Sequence, residues 1–152
     1  MEKVRVGIIG SGFSGDLHAD ALSRDLRAEI VAVAGTNQER AERFAARWKI
    51  ANVFDDYRRM LELPDIDLVT IGVPNDLHCE MAVNAALAGK HVVVEKPLCM
   101  TLDEADRMIA AASATDVKLM YAEDLCFAPK YLRAKQLVDE GAIGRVFRTR
   151  QL

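Results

Sequence analysis

The sequence predicts an α/β fold built on a doubly wound parallel sheet, and three observations predict it. Short apolar runs alternate with amphipathic helical stretches along the chain, the pattern of βαβ units. The first run, Val4 to Ile9, ends in a glycine-rich turn that opens a helix. Two later runs end in polar groups, Val73 to His78 and Glu95 to Pro97, where open α/β sheets place their ligands.

The elements follow in order. VRVGII suits a strand buried on both faces, and the helix after it reaches about Leu26. Glu29 to Ala34 reads as the second strand. Asn37 can cap the next helix, in which Ala41, Phe44, Ala45 and Trp48 recur at helical spacing. A short helix covers Asp56 to Leu63 and stops at Pro64. Ile66 to Val73 is a third apolar strand, closed by Pro74. Leu77 to Leu87 is helical and Gly89 ends it, before the strand HVVVE from His91. Thr101 and Glu104 form a T-x-x-E capping box for a helix with Leu102, Ala105, Ile109 and Ala112 on its apolar line. Lys118 to Tyr121 is a further short strand, and Pro129 to Val138 a last helix stopped by Gly141. Gly144 to Leu152 reads as one more strand, the expected start of a second, substrate-binding domain after a dinucleotide domain of residues 1–143.

The chain has 152 residues, 51% hydrophobic and 28% charged, enough for one domain with a sizeable core. Its net charge of −3 argues against a nucleic-acid or anionic-membrane binder, which carries a basic excess. No apolar run approaches the ~20 residues of a membrane span, and the N-terminus lacks a signal-peptide pattern. Cys79, Cys99 and Cys126 are widely spaced and form no ligand cluster with His18, His78 or His91. Free thiols in a reducing cytoplasm are the expectation, without a metal.

Gly10-Ser11-Gly12-Phe13-Ser14-Gly15 matches G-x-G-x-x-G. Directly after a buried strand and at the start of a helix, it is a dinucleotide fingerprint of the Rossmann type. Gly10 permits the turn, Gly12 lets backbone approach the pyrophosphate, and Gly15 lets helix pack on strand. The helix N-terminus adds amide donors and partial positive charge. Residue 16 is Asp rather than Lys, so the mononucleotide P-loop pattern fails.

An NAD site of the simplest kind ends its second strand in an acid that binds the ribose hydroxyls. Here Gly35-Thr36-Asn37 stands there, with Arg40 one turn on. A hydroxyl, an amide and a guanidinium suit a 2′-phosphate, so the expected cofactor is NADP or NAD, with a lean to NADP. The bland alternative makes Asn37 a helix cap and Arg40 an exposed residue.

The Glu95-Lys96 pair belongs at the floor of the cofactor crevice, with Glu95 accepting from a ribose hydroxyl and Lys96 facing a substrate oxygen. An ordinary surface ion pair is the alternative. GIIGSGFSGDLHADAL, GVPNDLH, AGKHVVVEKPL and FAPKYLRAKQLVDEGAIGRV together resemble the Gfo/Idh/MocA family of NAD(P)-dependent oxidoreductases over essentially the whole chain. The resemblance implies an N-terminal Rossmann domain joined to an α/β domain, acting on sugars, inositols and related polyols. It makes Lys96 the catalytic or substrate-orienting lysine, Glu95 a nicotinamide-ribose contact and Lys96–Pro97 a candidate cis peptide. Pro74, Asn75 and His78 fall where the family lines the crevice, although His78 also reads as a plain helix-start residue. Asp124 stands where relatives often carry Asn, with Cys126 close behind. The resemblance further implies a homo-oligomer formed through the second domain, and a fragment inactive by itself. The competing function is a non-catalytic module that binds or senses a dinucleotide; an S-adenosylmethionine site is disfavoured by Gly35 in place of an acid.

Overall fold

The computed structural model describes residues 3–150. Its six-stranded sheet comprises β1 (Val4–Ile9), β2 (Ala28–Ala34), β3 (Asn52–Phe54), β4 (Leu68–Ile71), β5 (His91–Glu95) and β6 (Leu119–Ala122). The order is β3-β2-β1-β4-β5-β6, and every adjacent pair is parallel. That is the doubly wound arrangement of a dinucleotide-binding fold, whose crevice opens where the order reverses between β1 and β4.

The helices are α1 (Phe13–Ser23), α2 (Gln38–Trp48), α3 (Tyr57–Leu61), α4 (His78–Leu87), α5 (Leu102–Ala114) and α6 (Pro129–Asp139). They divide the core in two. Ala19 of α1 and Phe44 and Ala45 of α2 pack with Ile8, Val33 and Ile50. Met60 of α3, Ala82 and Ala85 of α4 and Met108 of α5 pack with Ile9, Val69, Ile71 and Val94. The central strands are therefore covered on both faces, which explains their almost unbroken apolar sequence.

Caps begin the helices where side-chain chemistry demanded them. Asn37 accepts from the Arg40 amide at 2.8 Å, and Thr101 Oγ1 from the Glu104 amide at 3.2 Å. The Glu104 carboxylate reaches back to the Met100 amide, 2.8 Å away, so the box closes one residue further out than its usual form.

Four expectations change. β4 covers only Leu68–Ile71, because residues beyond it leave the ladder to form the crevice wall. The helix of α1 ends at Ser23 rather than Leu26. β3, three residues long, has too few positions to show any periodicity. It is held by register with β2, Ala32 to Asn52 through Ala34 to Phe54. Residues 144–150 form no strand; no other segment among the described residues pairs with them, and a strand without a partner leaves its ladder unmade. The rest of that expected strand, Gln151 and Leu152, lies outside the described residues.

The chain divides into two compact units, one ending at Ala122 and one beginning at Glu123. The first holds the sheet; in the second, a 3-10 turn (Leu125–Phe127) leads into α6.

Candidate functional site

A cleft of about 800 Å³ opens at the carboxyl ends of the strands in the first unit, within the size range of cofactor pockets. The turn after β1 lines it from Gly10 to Ser14, and the segment after β2 contributes Thr36 and Arg40. Val73 and Pro74 enter from the end of β4. Sequence reasoning missed the wall after β3, formed by Asp55 to Arg58, and Glu80 and Met81 of α4. Recognising β3 would have exposed those residues as a strand end.

The turn is shaped as its glycines require. Gly10 has φ +108°, a conformation that L side chains rarely adopt, and a β-carbon there would run into the Gly72 carbonyl. A β-carbon on Gly15 would collide with the Gly10 carbonyl oxygen, so the first turn of α1 lies directly on the loop. Gly12, by contrast, would direct a β-carbon into open space, and no side chain caps the helix it begins. Ser11 is 6% exposed, and its hydroxyl has no partner among the described residues. A buried orphan hydroxyl is unusual. Beside an open backbone and uncapped amides, it fits a phosphate or ribose group. These residues suit a dinucleotide.

Asp16, in the first turn of α1, is engaged elsewhere: Trp48 Nε1 donates to it at 2.8 Å and Arg47 at 3.1 Å. At the end of β2, Asn37 spends its oxygen capping α2, whereas Arg40 is exposed and without an ion-pair partner among the described residues. The Gly35 amide donates to the Phe54 carbonyl at 3.0 Å, which brings Asp55 and Asp56 alongside. Both are paired, Asp55 with Arg59 and Asp56 with Arg58. Arg58 also meets Glu80 at 2.5 Å. The Tyr57 hydroxyl donates to Glu80 at 3.3 Å and accepts from Asn84 at 2.7 Å. Burial pushes the Tyr57 phenol above its ordinary value, against the Asn84 hydrogen bond, which lowers it.

At the end of β5, Glu95 does not pair with the Lys96 ammonium. One carboxylate oxygen accepts from the Lys96 backbone N–H at 3.0 Å, and the other lies 3.2 Å from His18 Nε2 on α1. Lys96 itself is exposed, and the Lys96–Pro97 peptide is cis. Asn75 sits in the 3-10 turn Asn75–Leu77, its amide 3.3 Å from Met100 Sδ. His78 is 1% exposed, with both ring nitrogens against backbone carbonyls of Pro97 and Val73. The Gly10–Ser14 loop, Thr36, Arg40 and Pro74 thus share the cleft wall, whereas Gly15, Asn37, Asn75, His78, Glu95 and Lys96 stand behind or beside it.

In the second unit, Asp124 precedes the 3-10 turn and accepts from the Phe127 amide, and the exposed Cys126 thiol lies 3.3 Å from the Glu123 carbonyl. Among the described residues no three His, Cys, Asp or Glu gather as a metal site. No helix among them is long and apolar enough to cross a membrane.

Comparison with known proteins agrees with this geometry. Residues 4–123 match the family described as an oxidoreductase family with an NAD-binding Rossmann fold. The chain is 37% identical to levoglucosan dehydrogenase of Pseudarthrobacter phenanthrenivorans, over 96% of this chain and 40% of that protein. It is 30% identical to myo-inositol 2-dehydrogenase of Thermotoga maritima, over 93% of this chain and 42% of that protein. Among solved structures, levoglucosan dehydrogenase in complex with NADH and L-sorbose superposes with a TM-score of 0.89 at 36% identity, covering 95% of this chain and 41% of that one. Scyllo-inositol dehydrogenase from Lactobacillus casei with bound NAD(H) and scyllo-inositol gives 0.88 at 28% identity, covering 94% and 43%. The chain therefore spans about 40% of the length of the relatives it matches.

Proposed function

The chain belongs to the Gfo/Idh/MocA oxidoreductase family, and from that premise we propose that it is the cofactor-binding part of an enzyme that transfers hydride between a nicotinamide dinucleotide and a sugar, inositol or related polyol. The observation that carries this reading is the loop at the end of β1, where open backbone at Gly12 meets the buried Ser11 hydroxyl, which has no partner among the described residues. The substrate class is supported by the relatives that act on levoglucosan and inositols.

When bound, the nicotinamide supplies the hydride donor or acceptor. The chain's own residues bind and orient. The amides from Gly12 onward take the pyrophosphate, Glu95 accepts from a ribose hydroxyl, and the exposed Lys96 ammonium faces the substrate oxygen. There the ammonium donates a proton to the oxygen as negative charge develops, and in the reverse direction the neutral amine takes the hydroxyl proton. Residues 1–143 serve as the dinucleotide domain and 144–152 lead into a substrate domain, a reading supported by the greater length of the relatives. Cytoplasmic residence is supported by the three free cysteines, and a homo-oligomer formed outside these residues by the family resemblance.

The finer cofactor reading is NADP(H). Arg40 and Thr36 support it from the cleft wall, where β2 ends without an acid; the carboxylates of Asp55 and Asp56 share that wall but are held by arginines. Fluorescence titration with NADH and NADPH tests it, and tighter binding of NADH overturns it. For the reaction, Lys96→Ala in the enzyme that carries this chain should lower kcat/KM by about 10²–10⁴-fold. Near-wild-type kcat/KM in that variant removes the lysine from catalysis.

A further inference from the structure

We propose that His78 is a positioning residue whose ring latches the Glu95–Lys96–Pro97 turn to the crevice wall at Val73. The registers of the two central strands show why a latch is needed. β4 and β5 pair from Leu68 with His91 to Ile71 with Val94. Past those residues the two chains part, and the ladder that would satisfy their carbonyls ends. The Val73 carbonyl lies two residues beyond the last pair on one strand, and the Pro97 carbonyl three residues beyond it on the other.

His78, the first residue of α4, fills the gap. Its Nδ1 lies 2.9 Å from the Pro97 oxygen and its Nε2 3.0 Å from the Val73 oxygen. Two carbonyls left over at diverging strand ends, beyond the reach of the ladder, thereby share one ring. Carbonyl oxygens only accept, so the ring serves both with a hydrogen on each nitrogen and one of them in either neutral tautomer.

The burial of His78 distinguishes this role from direct contact with a ligand. At 1% exposed, with both nitrogens committed, the ring has no donor to turn toward the cleft. What it holds is adjacent to the chemistry instead. Val73 and Pro74 form cleft wall, and Pro97 follows the lysine. On the other side of Lys96, the Glu95 carboxylate is tied to His18 and to the Lys96 amide. The backbone that launches the Lys96 side chain is therefore fixed on both flanks, while the side chain itself is free to reach. The consequence for catalysis rests on the reading of Lys96 given above; the latch does not.

Amide hydrogen exchange in the full chain tests the latch. His78→Phe keeps an aromatic ring but removes every ring N–H donor. Exchange of the Lys96 and Leu77 amides should quicken by about tenfold, as expected from losing one or two hydrogen bonds. Amides in the β1 and β4 centres, such as Ile8 and Val69, should keep wild-type rates. His78→Gln, which returns one donor group, should give an intermediate result and serves also if the Phe variant does not fold. In the wild type, the His78 ring N–H should give a ¹⁵N-coupled proton signal, visible only when exchange with solvent is slow. Wild-type exchange at Lys96 and Leu77, a uniform rise across the sheet, or no ring N–H signal would each overturn the proposal. If exchange changes as described while Lys96→Ala leaves kcat/KM intact, the latch stands and the catalytic reading of Lys96 falls.

Discussion

His18 Nε2 and Glu95 Oε1 face each other at 3.2 Å, with each side chain only 17% exposed. The contact joins α1, which begins in the glycine turn, to the end of β5, two strands away in the sheet. One carboxylate oxygen is thus occupied by His18 and the other by the Lys96 amide, so the group cannot swing. A fixed acceptor recognises a ribose hydroxyl with little further loss of freedom on binding.

Removing that support should weaken cofactor binding without unfolding the chain. His18→Ala is expected to raise the dinucleotide Kd by roughly 2–10-fold, the range of one net hydrogen bond. Isothermal titration of the variant and wild type measures it. An unchanged Kd would show that Glu95 needs no orientation.

The glycine turn makes a sharper pair of expectations. Gly15→Ala forces a methyl against the Gly10 carbonyl and should cost about 1–3 kcal/mol of stability, visible as a lower Tm and urea midpoint. Gly12→Ala meets nothing within 4 Å. It should fold with nearly the wild-type Tm yet lose dinucleotide affinity, because its methyl enters the space where a pyrophosphate would lie. Equal loss of stability in both variants contradicts the division of labour.

That contrast also marks what the sequence could disclose. The turn was legible because its demands are local: a strand, a positive φ at Gly10 and a helix start all lie within a dozen residues. The caps at Asn37 and Thr101 were legible for the same reason. The Glu95 environment was not, since His18 lies 77 positions away and reaches it only through the β1-β4-β5 order. His78 at a helix start read equally well as crevice lining or as plain structure; its burial depends on where two strands diverge. Asp55 and Asp56 went unseen because β3 is too short to announce itself, and with them a wall of the cleft.

Titration of Tyr57 gives a pH dependence with a definite sign. Burial raises its phenol above the ordinary value of 10.0, so the folded state resists forming phenolate. The resulting stability is fully present below pH ~10, the unfolded value, and is lost as pH rises through the raised folded one. Urea unfolding between pH 8.5 and about 11 should show the wild type losing stability faster than Tyr57→Phe, which has no proton to release. At the lower end the variant should be less stable by about 1 kcal/mol, having lost its hydrogen bonds to Glu80 and Asn84. Parallel curves for the two proteins remove Tyr57 from the alkaline transition.

Two buried hydroxyls lack partners among the described residues, Ser11 Oγ and Thr70 Oγ1, and they should answer substitution differently. Thr70 stands in the middle of β4, 3% exposed, away from the turn. Thr70→Val keeps its shape and removes an unsatisfied hydroxyl, so stability should rise by about 1 kcal/mol with dinucleotide affinity unchanged. Ser11→Ala should likewise stabilise the free chain, because the same desolvation cost disappears. Its dinucleotide affinity should nevertheless fall, by roughly 2–10-fold for one hydrogen bond, because Ser11 lines the cleft. Thermal melts with and without saturating cofactor separate the effects: the ligand-induced rise in Tm should shrink in Ser11→Ala and stay constant in Thr70→Val. An undiminished rise in the serine variant means that the Ser11 hydroxyl does not wait for a ligand, and the orphan in the turn is then of the same kind as the orphan in the strand.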